Sequence, residues 1–165
     1  MAHITYITGG QRSGKSSYAQ KLAEKQSNSP VYLATARVWD EDFKQRIDRH
    51  KSDRNESWQT IEIEKAIHEY DFTSRTVVLD CITLWLTNIY TDLHYNATET
   101  LSQAKTIWDS LINQECNLIV ISNELGMGMH AETEIGRKFT DIQGFMNQYI
   151  AQNANIAICM ISGLP

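Results

Sequence analysis

Five short runs of β-branched and other apolar residues recur along the chain, at 4–8, 31–35, 76–80, 118–122 and 156–161, with longer amphipathic stretches between them. Each run has strand length, and each is apolar almost without interruption rather than at every second position. That pattern is expected where both faces of a sheet are covered. Such strands alternating with helices give an α/β fold, a mostly parallel sheet flanked by helices and joined by right-handed crossovers. The helical period is visible in Ala19, Leu22 and Ala23, with Lys21, Glu24 and Lys25 opposite, and again in Ile107, Leu111 and Ile112. The uneven polar stretch 52–57 is expected to be an irregular connection. With 165 residues and neither repeat nor linker, a single domain spanning 1–165 is expected.

Composition limits the partners. An apolar share of 42% with 21% charged residues excludes a disordered chain. Lys and Arg number 15 against 20 Asp and Glu, a net charge of −5, so there is no global positive field to hold nucleic acid or an anionic membrane. Any phosphate chemistry must therefore use a local patch. Cys81, Cys116 and Cys159 are scattered and odd in number, which argues against a disulfide framework or a zinc knuckle and for a reducing compartment. No charged-then-apolar leader and no run of membrane-spanning length is visible, so a cytoplasmic location is expected.

Between the first strand-like run and the first amphipathic stretch stands Gly9-Gly10-Gln11-Arg12-Ser13-Gly14-Lys15-Ser16, a match to G-x-x-x-x-G-K-[ST]. Glycines let the backbone turn tightly so that its amides face phosphate oxygens, and the helix that follows adds the positive end of its dipole. In that setting Lys15 supplies charge to the β and γ phosphates and the Ser16 hydroxyl ligates Mg²⁺. Asp80, at the end of the third apolar run, has the form of a carboxylate that reaches the same metal; a plain strand-terminal turn residue is the alternative. The chain has no N-K-x-D, H-R-D or D-F-G, so a Ras-like switch and a protein kinase are unsupported.

From 43 to 54 the acidic chain reverses sign, with Lys44, Arg46, Arg49, Lys51 and Arg54 against Asp48 and Asp53. Read as a helix, Arg46, His50 and Arg54 form one row at four-residue spacing. A neutral imidazole among guanidiniums is a nucleophile suited to attack on phosphorus, with the arginines stabilising the charged oxygens. A solvated amphipathic helix with an incidental histidine fits the same composition. Glu124, in a glycine-rich stretch after the fourth run, is either a substrate-orienting group or a turn residue.

Taken in order, these segments resemble the bifunctional adenosylcobinamide kinase / adenosylcobinamide-phosphate guanylyltransferase family of cobalamin assembly. Thr8 and the loop up to Ser16 resemble its T-G-G-x-R-S-G-K-S, Tyr32-Leu33-Ala34-Thr35 its Y-[IL]-A-T, and Arg46-Ile47-Asp48-Arg49-His50 its R-I-x-x-H. Trp58-Gln59-Thr60-Ile61-Glu62 is similar to W-x-T-x-E, 80–88 to [DE]-C-[IL]-T-x-x-x-T-N, and 122–128 to [TS]-N-E-[VL]-G-x-G; Gly136 to Asp141, Gly144 and Asn147-Gln148 follow. The resemblance implies a RecA-like P-loop NTPase fold, with His50 as the guanylylated residue. It further implies nucleotide contacts from Gly9 to Ser16 and from Ala34, Thr35, Ala36, Lys51, Ser52, Asp53, Arg54 and Glu62, and Asp80 near the metal. Two reactions are implied: phosphorylation of adenosylcobinamide with ATP or GTP, then GMP transfer from GTP to give adenosylcobinamide-GDP. A homotrimer is implied too. The chain departs from the family in having Ile63-Glu64 where a proline is common, and the given sequence stops at Gly163-Leu164-Pro165, where relatives continue with a basic strand-like tail. Two other functions fit the loop alone: a small-molecule P-loop kinase with His50 a bystander, and a nucleotide-gated binding module.

Overall fold

A computed structural model describes residues 1–37 and 55–165. Its elements in chain order are β1 (His3–Gly9), α1 (Lys15–Gln26), β2 (Val31–Ala34), β3 (Gln59–Glu62), β4 (Thr76–Asp80), α2 (Ile82–Asp92), α3 (Ala97–Ile112), β5 (Asn117–Asn123), α4 (Glu134–Asn153) and β6 (Ile156–Met160). The strands form one sheet in the order β3-β2-β4-β5-β1-β6, and every pairing is parallel. This is the α/β architecture that the alternating runs predict.

Successive strand residues point to opposite faces, and here both faces are covered. On one side Ile4, Tyr6, Val31, Leu33, Val77, Leu79, Leu118 and Val120 pack with Trp85 of α2 and Trp108 of α3. On the other, Ile7, Tyr32, Val78, Ile119 and Ile121 meet Ala19 and Ala23 of α1. Small residues on α1 bring that helix close to the sheet, which fixes how the loop before it sits. The N-termini of α3 and α4 are capped by Asn96, which accepts from the Glu99 amide, and Thr133, which accepts from the Gly136 amide.

The five apolar runs account for β1, β2, β4, β5 and β6. The sixth strand, β3, is a correction to that count: Gln59-Thr60-Ile61-Glu62 lies at the sheet edge with only Ile61 partly buried, so it carries no apolar run. At the other edge β6 is apolar in sequence yet largely exposed, with Met160 its one buried residue. Of the stretch expected to be irregular, 55–57 forms a turn in which the Ser57 amide donates to Asn55 Oδ1, and 52–54 lies outside the described residues. Among the described residues no helix is long and apolar enough to cross a membrane.

Because the sheet is parallel, the C-terminal ends of all its strands share one edge, where ligands bind in folds of this class. Register aligns Asp80 with Ala34 and Ile121, Ala34 with Glu62, and Gly9 with Asn123 and Met160.

Candidate functional site

At that edge the chain leaves β1 through Gly9 and turns back into α1 at Lys15, and the turn walls a cleft of about 400 Å³. Gln11, Arg12, Ser13, Gly14, Lys15, Ser16 and Ser17 line one side, with Asp80, Cys81, Ile121 and Asn123 opposite. Gly9 has φ of +149°, and a Cβ there would lie 2.4 Å from the Met160 carbonyl oxygen and 2.8 Å from Ser13 Oγ. Gly14, at φ +94°, precedes the first turn of α1. Gly9→Ala is therefore expected to lower stability by about 3 kcal/mol, through strain and a backbone clash that would part β6 from β1. Urea unfolding checks this.

Lys15 is almost wholly buried although charged. Its ammonium donates to the Gly9 carbonyl (3.0 Å) and the Gly10 carbonyl (2.6 Å), with Ser13 Oγ at 3.4 Å. Burial pulls its pKa below the ordinary lysine value, while Cys81 and Asp80 push the other way. A cation held by loop carbonyls at the floor of an open cleft is positioned to meet an anion. The Gly9 carbonyl also accepts from the Glu124 amide at 3.0 Å, which ties the end of β5 to the loop.

Ser16 Oγ donates to Asp80 Oδ2 at 2.7 Å, and the Tyr32 hydroxyl donates to the same oxygen at 2.6 Å. Hydroxyl and carboxylate thus meet from α1 and β4 across the cleft. Two hard oxygen donors, so few and so close to the loop, suit a cation such as Mg²⁺ that keeps several waters and binds phosphate oxygens. Beside them Cys81 is buried, and burial, then Asp80, pushes its thiol up to about 12, so it stays protonated at neutral pH. It is inert there.

The end of β5 is braced from below by buried amides. Ser122 Oγ donates to Asn147 Oδ1 (2.6 Å), Gln143 Nε2 donates to both Ser122 Oγ (2.8 Å) and Asn147 Oδ1 (2.9 Å), and Asn147 Nδ2 donates to the Asn123 carbonyl (3.1 Å). On the β2 side Arg37 pairs with Glu64 (2.7 Å) and, as a fork, with Asp92 (2.9 and 3.1 Å); Lys65 also pairs with Asp92. Hydrogen bonds from Arg37 and Lys65 hold the Asp92 carboxyl well below the usual carboxylate range.

The structure thus brings together the loop from Gly9 to Ser16 and Asp80. Ala34 and Glu62 share the same sheet edge without lining the cleft; the Thr35 hydroxyl donates to the Cys81 carbonyl (2.8 Å) and accepts from its amide (2.9 Å), pinning β2 to β4. Ala36 follows, and Glu62 is exposed at the β3 edge. His50, Lys51, Ser52, Asp53 and Arg54 lie outside the described residues. The Glu124 carboxylate accepts from the Gly126 amide at 2.8 Å in a local turn. Sequence reasoning missed Tyr32 as a neighbour of Asp80. Its signals were its place at the head of the Y-[IL]-A-T match and two residues before Ala34, and neither names a role.

Comparison with known proteins bears on this site. Residues 5–165 match the family described as Cobinamide kinase / cobinamide phosphate guanyltransferase. The bifunctional adenosylcobalamin biosynthesis protein CobU of Escherichia coli is 34% identical, over 96% of this chain and 95% of its own. CobP of Pseudomonas aeruginosa, likewise named bifunctional, is 31% identical over 96% of this chain and 93% of its own. CobU of Salmonella typhimurium is 30% identical over 96% and 95%.

Proposed function

Because the chain belongs to the cobinamide kinase / cobinamide phosphate guanyltransferase family, we propose that it phosphorylates adenosylcobinamide with ATP or GTP and then transfers GMP from GTP to the phosphate it has made. The reading includes a guanylyl intermediate on His50, a cytoplasmic location and a homotrimer. One observation carries it furthest: Ser16 and Asp80 meet at 2.7 Å beside a phosphate loop whose lysine is held on the floor of the cleft.

In the kinase step the loop amides and Lys15 orient the triphosphate and take up charge that develops on the γ-phosphoryl oxygens, so alignment with the acceptor hydroxyl does most of the work. Mg²⁺, held by Ser16 and Asp80, neutralises phosphate charge when bound. In the transfer step a ring nitrogen of His50 attacks the α-phosphorus. An N–P bond forms as the bond to pyrophosphate breaks; a phosphate oxygen of the corrinoid then displaces the ring nitrogen, forming a new pyrophosphate linkage as the N–P bond breaks and returning the neutral imidazole. Splitting the transfer in two lets the corrinoid phosphate meet a guanylyl group of lower charge than the triphosphate. Lys51, Ser52, Asp53, Arg54, Ala34, Thr35, Ala36 and Glu62 are assigned to nucleotide contacts in this reading.

The test uses GTP labelled at either phosphate. With the α label, radioactivity is expected to stay on the denatured protein, to be lost in acid, and to pass to a corrinoid phosphate when one is supplied. Label reaching the corrinoid only from the γ position would make the protein a simple small-molecule kinase. Neither pyrophosphate release nor ADP formation with adenosylcobinamide present would make it a binding module.

A further inference from the structure

Strand β5 lies between β1, which feeds the phosphate loop, and β4, which ends on Asp80, and its last residue, Asn123, lines the cleft. Strand residues alternate between faces, so Asn123 shares the face of Ile119 and Ile121, the side of the sheet that α1 covers. In register it stands opposite Gly9 of β1, while Asp80 of β4 stands opposite Ile121. The backbone here is held from three directions. The Asn123 amide donates to Thr83 Oγ1 in the first turn of α2 (3.1 Å), its carbonyl accepts from Asn147 Nδ2 of α4 (3.1 Å), and the next amide, that of Glu124, donates to the Gly9 carbonyl (3.0 Å). Asn147 is itself buried and locked by Ser122 and Gln143. This fixed backbone carries a half-buried side chain whose amide has no hydrogen-bond partner among the described residues. An amide presented on rigid elements to an open cleft is placed to bind a ligand.

Position along the cleft says which part of a triphosphate it meets. The Lys15 ammonium rests on the Gly9 and Gly10 carbonyls, and Gly9 is the register partner of Asn123. Asn123 therefore stands at the end of the cleft that holds the ammonium. In a loop of this kind the lysine meets the β and γ phosphates, while the hydroxyl of the next residue serves the metal.

We infer that the side-chain amide of Asn123 donates from Nδ2 to an oxygen of the terminal phosphoryl group of the bound nucleotide. Asn123 thereby makes the site prefer a triphosphate to a diphosphate, and it supports the charge on the phosphoryl group during its transfer. It contributes a hydrogen bond only; no covalent bond to it forms or breaks. The inference rests on the phosphate-loop kinase reading given above, and its binding test needs no corrinoid.

The experiment measures, with Mg²⁺ present, the affinities of the full chain for the β,γ-imido analogue of GTP and for GDP. It compares the wild type, Asn123→Ala and Asn123→Asp, and adds thermal unfolding and the rate of adenosylcobinamide phosphorylation by GTP. Asn123→Ala is expected to lower affinity for the triphosphate analogue by about tenfold, the scale of one hydrogen bond to a charged group. Its affinity for GDP and its unfolding temperature are expected to stay at wild-type values, and its phosphorylation rate to fall by about a hundredfold. Asn123→Asp keeps the shape but sets a carboxylate against the phosphoryl oxygens, so it is expected to lose more triphosphate affinity than the alanine variant. An unchanged preference for triphosphate over diphosphate in Asn123→Ala overturns the inference. So does an equal loss for both nucleotides, which marks a general effect on the loop, and so does an Asn123→Asp variant that binds the triphosphate as tightly as the wild type. The two readings fail separately. If Asn123→Ala loses the preference in a protein that phosphorylates no corrinoid, the proposed kinase activity falls and the contact of Asn123 stands; if the wild type phosphorylates adenosylcobinamide and the preference survives in Asn123→Ala, only the role of Asn123 falls.

Discussion

Replacing His50 by alanine is expected to lower GMP transfer by about a thousandfold or more, while γ-phosphoryl transfer to adenosylcobinamide continues at close to the wild-type rate. The expectation follows from a division of labour. Within a single cleft Lys15 is bonded to the loop carbonyls of Gly9 and Gly10, and Ser16 to Asp80, and these are the groups that serve the triphosphate in the proposed kinase step. Removing the nucleophile of a two-step transfer therefore takes away the covalent route and leaves triphosphate binding in place. Acid-labile label from α-labelled GTP should vanish from the variant, and phosphorylated cobinamide should accumulate without conversion to its GDP adduct; both are read by chromatography of one reaction mixture. Persistence of the protein-bound label in His50→Ala would assign the nucleophile elsewhere and overturn this reading of the basic segment.

Lys15→Ala is expected to abolish both reactions, with the kinase rate down by about a thousandfold, the scale seen when a preorganised charge partner of the transition state is removed. Here folding and function separate cleanly. Lys15 is a buried cation whose charged form is disfavoured by desolvation, so the protein without ligand gives up little when the ammonium is removed. The variant is expected to unfold at or slightly above the wild-type temperature while failing to retain a GTP analogue on equilibrium binding. A variant that bound and turned over GTP normally would mean that the cation serves only to brace the carbonyls of Gly9 and Gly10.

How much of this was legible in the residues depends on burial. Strands β1, β2, β4 and β5 could be read because residues on both of their faces enter a core, so their apolar runs are unbroken. β3 could not, since an edge strand with exposed Gln59, Thr60 and Glu62 carries no such run. Helix α2 escaped periodicity for the opposite reason: Ile82, Trp85, Leu86, Asn88, Ile89 and Tyr90 bury most of its circumference, which leaves no polar stripe to reveal the turn. At the site, the loop was legible from its residue types at fixed spacing and Asp80 from its place at the end of an apolar run, and the structure brings the two together. The tie from Tyr32 to Asp80 was not, because it joins positions 32 and 80 through strand order, and strand order is decided by how the whole sheet packs.

The turn that follows β6 reaches back to the phosphate loop: the Gly163 amide donates to the Ser13 carbonyl at 2.9 Å, and the Met160 carbonyl lies against Gly9. An affinity handle fused after residue 165 would hang two residues from a hydrogen bond that shapes the triphosphate cradle. One placed ahead of β1 would emerge from the far rim of the sheet, so recombinant material intended for binding measurements belongs with its handle at the front.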